Sequence, residues 1–261
     1  MTGMPVLLID RRDEIAVLTL NRPQARNALN FDLLATLLSE LQALAEDSSL
    51  RCLLVTGAGD AAFCAGADLK ERLTLTPEQR TAHTAAINDV ANALEQFPAP
   101  VIAAIRGFAL AGGAELATAC DLRVASVDAV LGFPEVRVGV FPGAGGVIRL
   151  PRLVGAGRAR DLLLTGRQVG AAEALTMGLL DRVVPNEEVL PAAMALAEEI
   201  AANAPLAIGA LKKALIETAG LSSERARSSV SRLRVPLDAT VDYDEGLQAF
   251  SERRTPRFIG E

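Results

Sequence analysis

The sequence predicts an α/β fold that is followed by a helical tail. Short, apolar, β-rich runs alternate with segments of helical periodicity as far as Pro185, and beyond Pro185 the pattern is helical. The chain has 261 residues, half of them hydrophobic, which is enough for one large core with a small extension. We therefore expect the α/β core to end near residues 195–205.

The individual elements follow from turn signals and from the spacing of apolar residues. A charged turn at residues 11–14 separates two short β-rich runs and predicts a hairpin. Pro77 can begin a helix, and Pro98 can follow its end. The predicted strands are residues 6–10, 15–21, 51–57, 101–105, 122–125 and 130–133. The predicted helices are residues 30–46, 77–97, one from about 113, those near 145–150, 157–164 and 171–177, and in the tail 190–203, 206–218, 222–234 and 239–253.

Composition excludes several classes of protein. The net charge is −6, and no basic stripe is visible that could neutralise nucleic-acid phosphates. Cys52, Cys64 and Cys120 lack zinc-ligand spacing and predict free thiols in a reducing compartment. Residues 1–10 have no basic flank before a long apolar run, so no signal peptide is expected and the cytoplasm is the predicted location. Residues 101–120 are apolar but contain Arg106, Glu115 and three glycines, which favours a strand, a loop and a helix over a membrane span.

Two glutamates in apolar, glycine-rich sequence are the strongest indication of chemistry. These are Glu115 and Glu135. An unpaired carboxylate is costly to bury, and two such acids in one cavity can divide the roles of acid and base. The alternative is that both are structural carboxylates, each capping a helix or paired with an arginine. The arginines close enough in sequence are Arg106, Arg123, Arg137 and Arg149.

Two small-residue loops can supply backbone hydrogen-bond donors. Gly112 and Gly113 precede a predicted helix, whose first amides have no intrahelical partner and can stabilise a developing oxyanion. Residues 64–70 follow a strand and can bring the amide of Ala67 to the same place. On spacing alone, both loops can equally be structural turns.

Two other motifs give weaker indications. Residues 57–62 match the glycine pattern of a dinucleotide site, but no periodic helix follows them, as that site requires. His83 is the single histidine and lies within a predicted helix without a recognisable nucleophile, so a surface or packing role is favoured.

Taken together, eight segments resemble the crotonase, or enoyl-CoA hydratase/isomerase, superfamily over nearly the whole chain. They occur in the family's order, which makes the resemblance specific for the superfamily and less specific for the reaction. The segments are 20–29 (LNRPQARNAL), 63–69 (FCAGADL), 107–117 (GFALAGGAELA), 120–123 (CDLR), 133–135 (FPE), 142–146 (PGAGG), 164–167 (LTGR) and 244–250 (DEGLQAF).

The resemblance implies a crotonase-like spiral of ββα units with a helical C-terminal trimerisation region. It implies a spiral core with the active site over residues 1–200, an oligomerisation region over 201–261, and a homotrimer or dimer of trimers. The implied substrate is an acyl-CoA thioester, whose carbonyl the amides of Ala67 and Gly112 would polarise. No metal or redox cofactor is implied, because the thioester is the electron sink.

The resemblance also implies a reaction. Glu115 would act as base for the attack of water on Cβ, and Glu135 would deliver a proton to Cα, so the implied enzyme is an enoyl-CoA hydratase. Relatives that only move the double bond often keep only the residue that corresponds to Glu135, although some isomerases and dehydratases keep both. A Δ3,Δ2-enoyl-CoA isomerase, a specialised acyl-CoA lyase and a non-catalytic acyl-CoA-binding homologue therefore stay as alternatives.

The remaining site residues follow from the same resemblance. Arg253, Arg254 and Arg257 could reach the CoA 3′-phosphate or could equally be surface charges.

Ala111 stands where a glycine is common in the family, and this departure affects the expected substrate specificity. Arg106 and Val147-Ile148 are departures of the same kind, and Phe108, Phe133 and Phe141 are expected near the acyl pocket. The residues expected to contact the substrate are Ala25, Arg26, Ala65, Ala67, Asp68, Leu69, Lys70, Gly112 and Pro134.

Overall fold

A computed structural model describes residues 4–261, and these contain ten strands and eleven α-helices. The strands are β1 (Leu7–Arg12), β2 (Ile15–Leu20), β3 (Cys52–Gly57), β4 (Ala62–Cys64), β5 (Val101–Ile105), β6 (Phe108–Leu110), β7 (Leu122–Ser126), β8 (Val130–Gly132), β9 (Gln168–Gly170) and β10 (Arg182–Val184). The helices are α1 (Phe31–Ala45), α2 (Leu69–Arg72), α3 (Pro77–Glu95), α4 (Gly112–Ala119), α5 (Gly146–Val154), α6 (Ala156–Thr165), α7 (Ala171–Met177), α8 (Val189–Ala201), α9 (Pro205–Thr218), α10 (Ser223–Arg234) and α11 (Val241–Glu252).

The strands form two sheets, and the chain passes repeatedly from one to the other. The six-stranded sheet has the order β1-β2-β3-β5-β7-β10, and the four-stranded sheet has the order β4-β6-β8-β9. Each of the pairs β3/β4, β5/β6 and β7/β8 gives one strand to each sheet, and helices follow each pair. Strands of successive units pair in parallel within each sheet. This confirms the α/β prediction and the spiral of ββα units.

Strand β3 shows why the apolar runs are continuous. Leu53 and Val55 belong to the main core, together with residues of α1 and α3. Cys52 and Leu54 point to the opposite face and pack in a second core that includes residues of α8. A strand covered on both faces has no polar side, so it lacks the alternation of a half-exposed strand.

The structure contains a few short elements that the sequence did not predict. Strands β4 and β6 have three residues each and were not predicted, because runs that short carry little periodicity. Residues 101–120 form β5, β6 and α4, which confirms the predicted strand and helix and places a second short strand where a loop was expected. Within residues 4–261, no single helix has the length and apolarity needed to cross a membrane, and only the bent pair Asn186–Ala201 and Pro205–Thr218 meets both criteria together.

The structure does not test two of the predictions, which are the absence of a signal peptide and the division of the chain into two regions. The absence of a signal peptide was predicted from residues 1–10, of which 1–3 lie outside the described residues. The division into residues 1–200 and 201–261 also stays a prediction. Helices α9, α10 and α11 do expose several large apolar side chains, among them Leu211, Leu215 and Phe250.

Candidate active site

Two loops place the amides of Ala67 and Gly112 close together. A Cβ atom added to Gly66 would lie 2.8 Å from the Cβ of Ala111 and 3.1 Å from the nitrogen of Gly112. A Cβ atom on Gly112 would lie 3.7 Å from the nitrogen of Ala67. Gly66 also has a φ of 92°, which only glycine adopts readily. The two loops therefore pack backbone against backbone, which their small residues permit.

Both amides are available to a ligand. The backbone of Leu29 pairs with the residues on either side of Ala67, since its N–H donates to Gly66 at 2.8 Å and its carbonyl accepts from Asp68 at 2.9 Å. The amide of Ala67 itself donates to no turn, loop or cap acceptor in the described chain. Gly112 is the first residue of α4, where an amide has no intrahelical partner. Two convergent free amides can stabilise a developing oxyanion.

Ala111 turns the chain so that α4 begins at this point. Its φ is 51° and its ψ is −127°, a conformation that residues other than glycine seldom adopt. Such a backbone costs about 1–3 kcal/mol and persists only where the surroundings hold it. Here the amide of Ala111 donates to the carbonyl of Gly132 at 2.9 Å. The strain therefore lies at the residue that directs the Gly112 amide.

Glu115 lies in the first turn of α4 and is held from one side. It is 3% exposed, and its Oε1 accepts hydrogen bonds from the amides of Ala144 at 2.7 Å and Gly146 at 2.9 Å. Gly146 begins α5, so a helix N-terminus also points at this carboxylate. Burial raises the pKa of Glu115, while the two backbone donors oppose that rise. Its Oε2 bonds to no other described residue.

Glu135 lies in a short 3₁₀ helix, Pro134–Val138, directly after β8. Both of its carboxyl oxygens are buried, and neither has a hydrogen-bond partner within the described residues. Burial, together with the neighbouring charge of Glu115, raises the pKa of Glu135 to about 7, although the residue's own amide acts in the opposite direction. Glu135 can therefore both hold and release a proton near neutral pH.

The two amides and the two glutamates line one cavity. Its volume is about 400 Å³. The structure thus brings together all four residues that the sequence nominated for catalysis. The lining residues are Ala67, Arg72, Thr84, Ile87, Ala111, Gly112, Glu115, Glu135, Gly139, Val140, Phe141, Gly143 and Ala144.

The alternative of arginine-paired structural carboxylates does not fit the geometry. No ion pair joins Glu115 or Glu135 to an arginine anywhere in residues 4–261. Three of the four nominated arginines have other partners: Arg106 pairs with Asp60, Arg123 with Asp181 and Arg149 with Glu95.

Most residues nominated for CoA lie around the cavity rather than in its wall. The amide of Ala65 donates to the carbonyl of Arg26 at 3.0 Å, and the guanidinium of Arg26 lies 5.6 Å from the ring centroid of Phe108. Leu69 and Lys70 are exposed. Ala25 ends a short 3₁₀ helix, and Pro134 begins the one that carries Glu135.

Two nominated side chains are already bound within the protein. Asp68 caps α2 by accepting from the amides of Lys70 and Glu71, and it forms an ion pair with Arg22 at 2.9 Å. Arg254 forms ion pairs with Glu245 and Glu252. These contacts assign Asp68 and Arg254 a structural part that the sequence alone did not reveal.

The two weaker motifs have structural roles. After β3 ends at Gly57 the chain enters β4, so no helix follows the glycine pattern as a dinucleotide site requires. His83 is fully buried, its Nε2 lies 3.0 Å from the carbonyl oxygen of Leu29, and its ring packs edge-on against Phe31.

Sequence reasoning missed several residues of this site, of which four bear on its polar contacts. Ala144 and Gly146 were placed within a matching segment but were given no part in holding Glu115. Arg72 and Thr84 line the cavity and were not nominated. The only sequence signal for Arg72 is its position five residues after Ala67. Of the three phenylalanines expected near the pocket, Phe141 lines the cavity, and Phe108 and Phe133 do not.

The ββα spiral places two free amides and two carboxylates in one cavity, and such groups can act as an oxyanion site, an acid and a base on a carbonyl compound. The family model described as enoyl-CoA hydratase/isomerase matches residues 10–261. The chain therefore belongs to the enoyl-CoA hydratase/isomerase family.

Individual relatives match over almost their whole length. The chain is 40% identical over 255 residues to a crotonyl-CoA hydratase of Syntrophomonas wolfei, covering 98% of each chain. It is 40% identical over 261 residues to the 2,3-dehydroadipyl-CoA hydratase of Escherichia coli K12, covering 98% of this chain and all of the relative. The crystal structure of an enoyl-CoA hydratase from Bacillus anthracis superposes with a TM-score of 0.96 at 41% identity, covering 98% of this chain and 100% of that one.

Proposed function

We propose that this enzyme is an enoyl-CoA hydratase, a hydro-lyase that adds water across the 2,3 double bond of an enoyl-CoA thioester. One observation carries the proposal. Glu115, held by two amides, and Glu135, which has no hydrogen-bond partner among residues 4–261, face the same cavity as the free amides of Ala67 and Gly112. An acid, a base and an oxyanion site are the groups that this addition requires.

The thioester carbonyl binds between the amides of Ala67 and Gly112 in the proposed mechanism. When water attacks Cβ, electron density moves through Cα to the carbonyl oxygen, and the two amides stabilise the resulting enolate. The thioester itself accepts the electrons, so the proposed step needs no metal or redox cofactor.

Glu115 and Glu135 hold the attacking water and divide the proton transfers. Glu115 takes a proton from the water as the C–O bond forms, because its carboxylate is kept available by two amide donors. Glu135, whose pKa is raised to about 7, delivers its proton to Cα and is restored by exchange with the proton held on Glu115. In dehydration each group reverses its role.

A Δ3,Δ2-enoyl-CoA isomerase is the second candidate. It is favoured by one observation, the unpartnered Glu135 with a pKa of about 7, since moving a double bond requires one group that takes a proton and returns it elsewhere. Glu115 has no necessary part in that reaction, and its two amide donors favour hydration.

The CoA portion is proposed to lie beside the cavity. Ala65 lies in the same loop as the Ala67 amide, Leu69 and Lys70 begin α2 directly after that loop, and Ala25 and Arg26 pack beside it through the hydrogen bond from Ala65 to Arg26. We propose that these five residues contact the nucleotide and pantetheine. The ion pairs of Arg254 with Glu245 and Glu252 leave Arg253 and Arg257 as the better candidates for a phosphate contact.

Assembly and location extend the same proposal. Exposed apolar residues on α9 to α11, such as Leu211, Leu215 and Phe250, support the proposal that residues 201–261 join subunits in a trimer or a dimer of trimers.

The cytoplasm is proposed as the location because Cys52, Cys64 and Cys120 are buried free thiols.

The test is the product formed from two isomeric esters. Crotonyl-CoA should lose its conjugated-thioester absorbance and yield 3-hydroxybutyryl-CoA by mass spectrometry. But-3-enoyl-CoA should be the poorer starting material. Rapid conversion of but-3-enoyl-CoA to crotonyl-CoA without a hydrated product would instead establish the isomerase.

A further inference from the structure

Arg72 is the only basic residue that lines the cavity, within the part of the chain described by the structure. It ends α2, the four-residue helix that begins directly after the Ala67 loop. Arg72 lines the same cavity as Ala67 and Gly112, so the far end of a short acyl group whose carbonyl binds at those two amides can lie near the Arg72 guanidinium.

The guanidinium of Arg72 has no carboxylate partner. Its Nη2 donates to the carbonyl of Arg80 at 3.3 Å and to the hydroxyl of Thr84 at 3.2 Å, and no ion pair to Arg72 occurs within residues 4–261. Its Nε and Nη1 bond to no described residue. The adjacent Glu71 is turned away, accepting from the amide of Phe31 at 3.1 Å.

The surroundings of Arg72 disfavour an unpaired cation. Partial burial and the positive charge of Arg80 both lower the pKa of Arg72. An arginine nevertheless remains charged at neutral pH, and its planar donors match a carboxylate. A held, half-buried guanidinium with free donors, to which no carboxylate of the described chain is bonded, therefore favours an anion supplied by the ligand.

That anion would belong to the acyl group rather than to CoA. Ala25, Arg26, Ala65 and Lys70, which are proposed to contact CoA, do not line the cavity, whereas Arg72 and Thr84 do. The cavity also holds two acids, so an acyl carboxylate without a counter-charge would be repelled. Arg72 supplies that counter-charge.

We propose that Arg72 is a specificity-determining residue that binds a carboxylate at the far end of the acyl chain, so that the preferred substrate is a carboxylate-terminated enoyl-CoA. This inference rests on the proposed hydration. Thr84 and the carbonyl of Arg80 hold the guanidinium in place. The double bond then lies between the fixed carbonyl and the fixed carboxylate, which positions Cβ for attack.

The experiment compares two substrates of nearly the same shape. Glutaconyl-CoA ends in a carboxylate, and 5-methylhex-2-enoyl-CoA replaces that carboxylate by an isopropyl group. The wild type should show a kcat/KM about 10- to 100-fold higher for glutaconyl-CoA, the range expected for hydrogen bonds to a charged group. Arg72→Gln should abolish or invert this ratio, and Arg72→Lys should restore part of it.

Arg80→Gln is the matched control. Arg80 is exposed and does not line the cavity, yet its removal takes the same charge from the neighbourhood. The ratio for Arg80→Gln should stay close to that of the wild type. A wild-type ratio near one, or a preference for glutaconyl-CoA that survives in Arg72→Gln, would overturn the proposal.

A binding measurement separates this inference from the proposed reaction. Calorimetry with saturated glutaryl-CoA and with free CoA requires no turnover. Arg72→Gln should weaken the binding of glutaryl-CoA about 10- to 100-fold and leave the affinity for free CoA unchanged. An equal loss of affinity for both ligands would show that Arg72 contacts the CoA portion, and it would overturn the inference. Failure of the wild type to hydrate any enoyl-CoA would overturn only the proposed function.

Discussion

Glu115 and Glu135 face the same cavity but are held in opposite ways. One oxygen of Glu115 accepts two backbone hydrogen bonds, whereas neither oxygen of Glu135 has a protein partner in the described chain. Glu115 is buried and both carboxyl oxygens of Glu135 are buried, so desolvation raises both pKa values. The difference between them comes from the amide donors, which stabilise the ionised form of Glu115 alone. This difference supports the proposed division of roles, in which Glu115 is the base of hydration and Glu135 the acid.

The most severe test of this comparison is Glu135→Gln. The amide keeps the shape but cannot deliver a proton, so kcat for crotonyl-CoA hydration should fall about 10³- to 10⁴-fold. Stopped-flow absorbance measures the loss, and calorimetry with butyryl-CoA checks that binding persists. Unchanged turnover would remove Glu135 from the mechanism.

A somewhat smaller loss is expected for Glu115→Gln. The side-chain oxygen can still accept from Ala144 and Gly146, so the loop geometry is preserved while the base is lost. We expect kcat to fall about 10²- to 10³-fold. The same assay with but-3-enoyl-CoA provides the control, because an isomerase would retain most of its activity in this variant.

The pH profile tests the need for a protonated Glu135 without a substitution. If Glu135 is the acid of hydration, only its protonated form is active, and kcat/KM should fall about tenfold per pH unit above its pKa of about 7. Hydration releases no proton, so its equilibrium constant does not depend on pH, and kcat/KM for dehydration of 3-hydroxybutyryl-CoA should fall in parallel over the same range. A kcat/KM that stays constant from about pH 7 to about pH 9 would contradict the assignment.

The smallest effect is one of stability. The pKa of Glu135 is about 7 in the folded protein, compared with its ordinary value of 4.5. Ionisation of Glu135 therefore lowers the free energy of unfolding as the pH rises from 4.5 to about 7. Glu135→Gln should raise the free energy of unfolding by about 2 kcal/mol at pH 8, after allowance for solvent screening, and by less than half of that at pH 5. Urea denaturation at both pH values measures the difference. An equal effect at both pH values would show that the cost is not one of ionisation.

The sequence predicted those parts of the site that depend on local pattern. Glu115 stands out because its neighbours are apolar, and Gly112 because it begins a helix. The family resemblance then related Glu135 and Ala67 to the same reaction. The fold class and most long elements could be predicted for the same reason, since their hydrophobic periodicity lies within single segments.

The remaining features depend on contacts between distant segments. The donors to Glu115 lie 29 and 31 residues further along the chain, and nothing in their sequence identifies them as donors. The strain at Ala111 is visible only as a backbone angle. Arg72 becomes informative only when its neighbours are known, because an arginine beside Glu71 in sequence would ordinarily be taken as a surface charge.

The alternation of strands between two sheets has a consequence for how the protein unfolds. Every link from β3 to β4, from β5 to β6 and from β7 to β8 passes from the six-stranded sheet to the four-stranded one. Neither sheet can lose a central strand without pulling on the other, so opening of the small sheet is coupled to the large core. The loops that carry Ala67 and Gly112 follow β4 and β6 directly. The loop that carries Gly112 follows a central strand of the small sheet, whereas the loop that carries Ala67 follows β4 at its edge, so we expect the Gly112 loop to open less readily than the Ala67 loop.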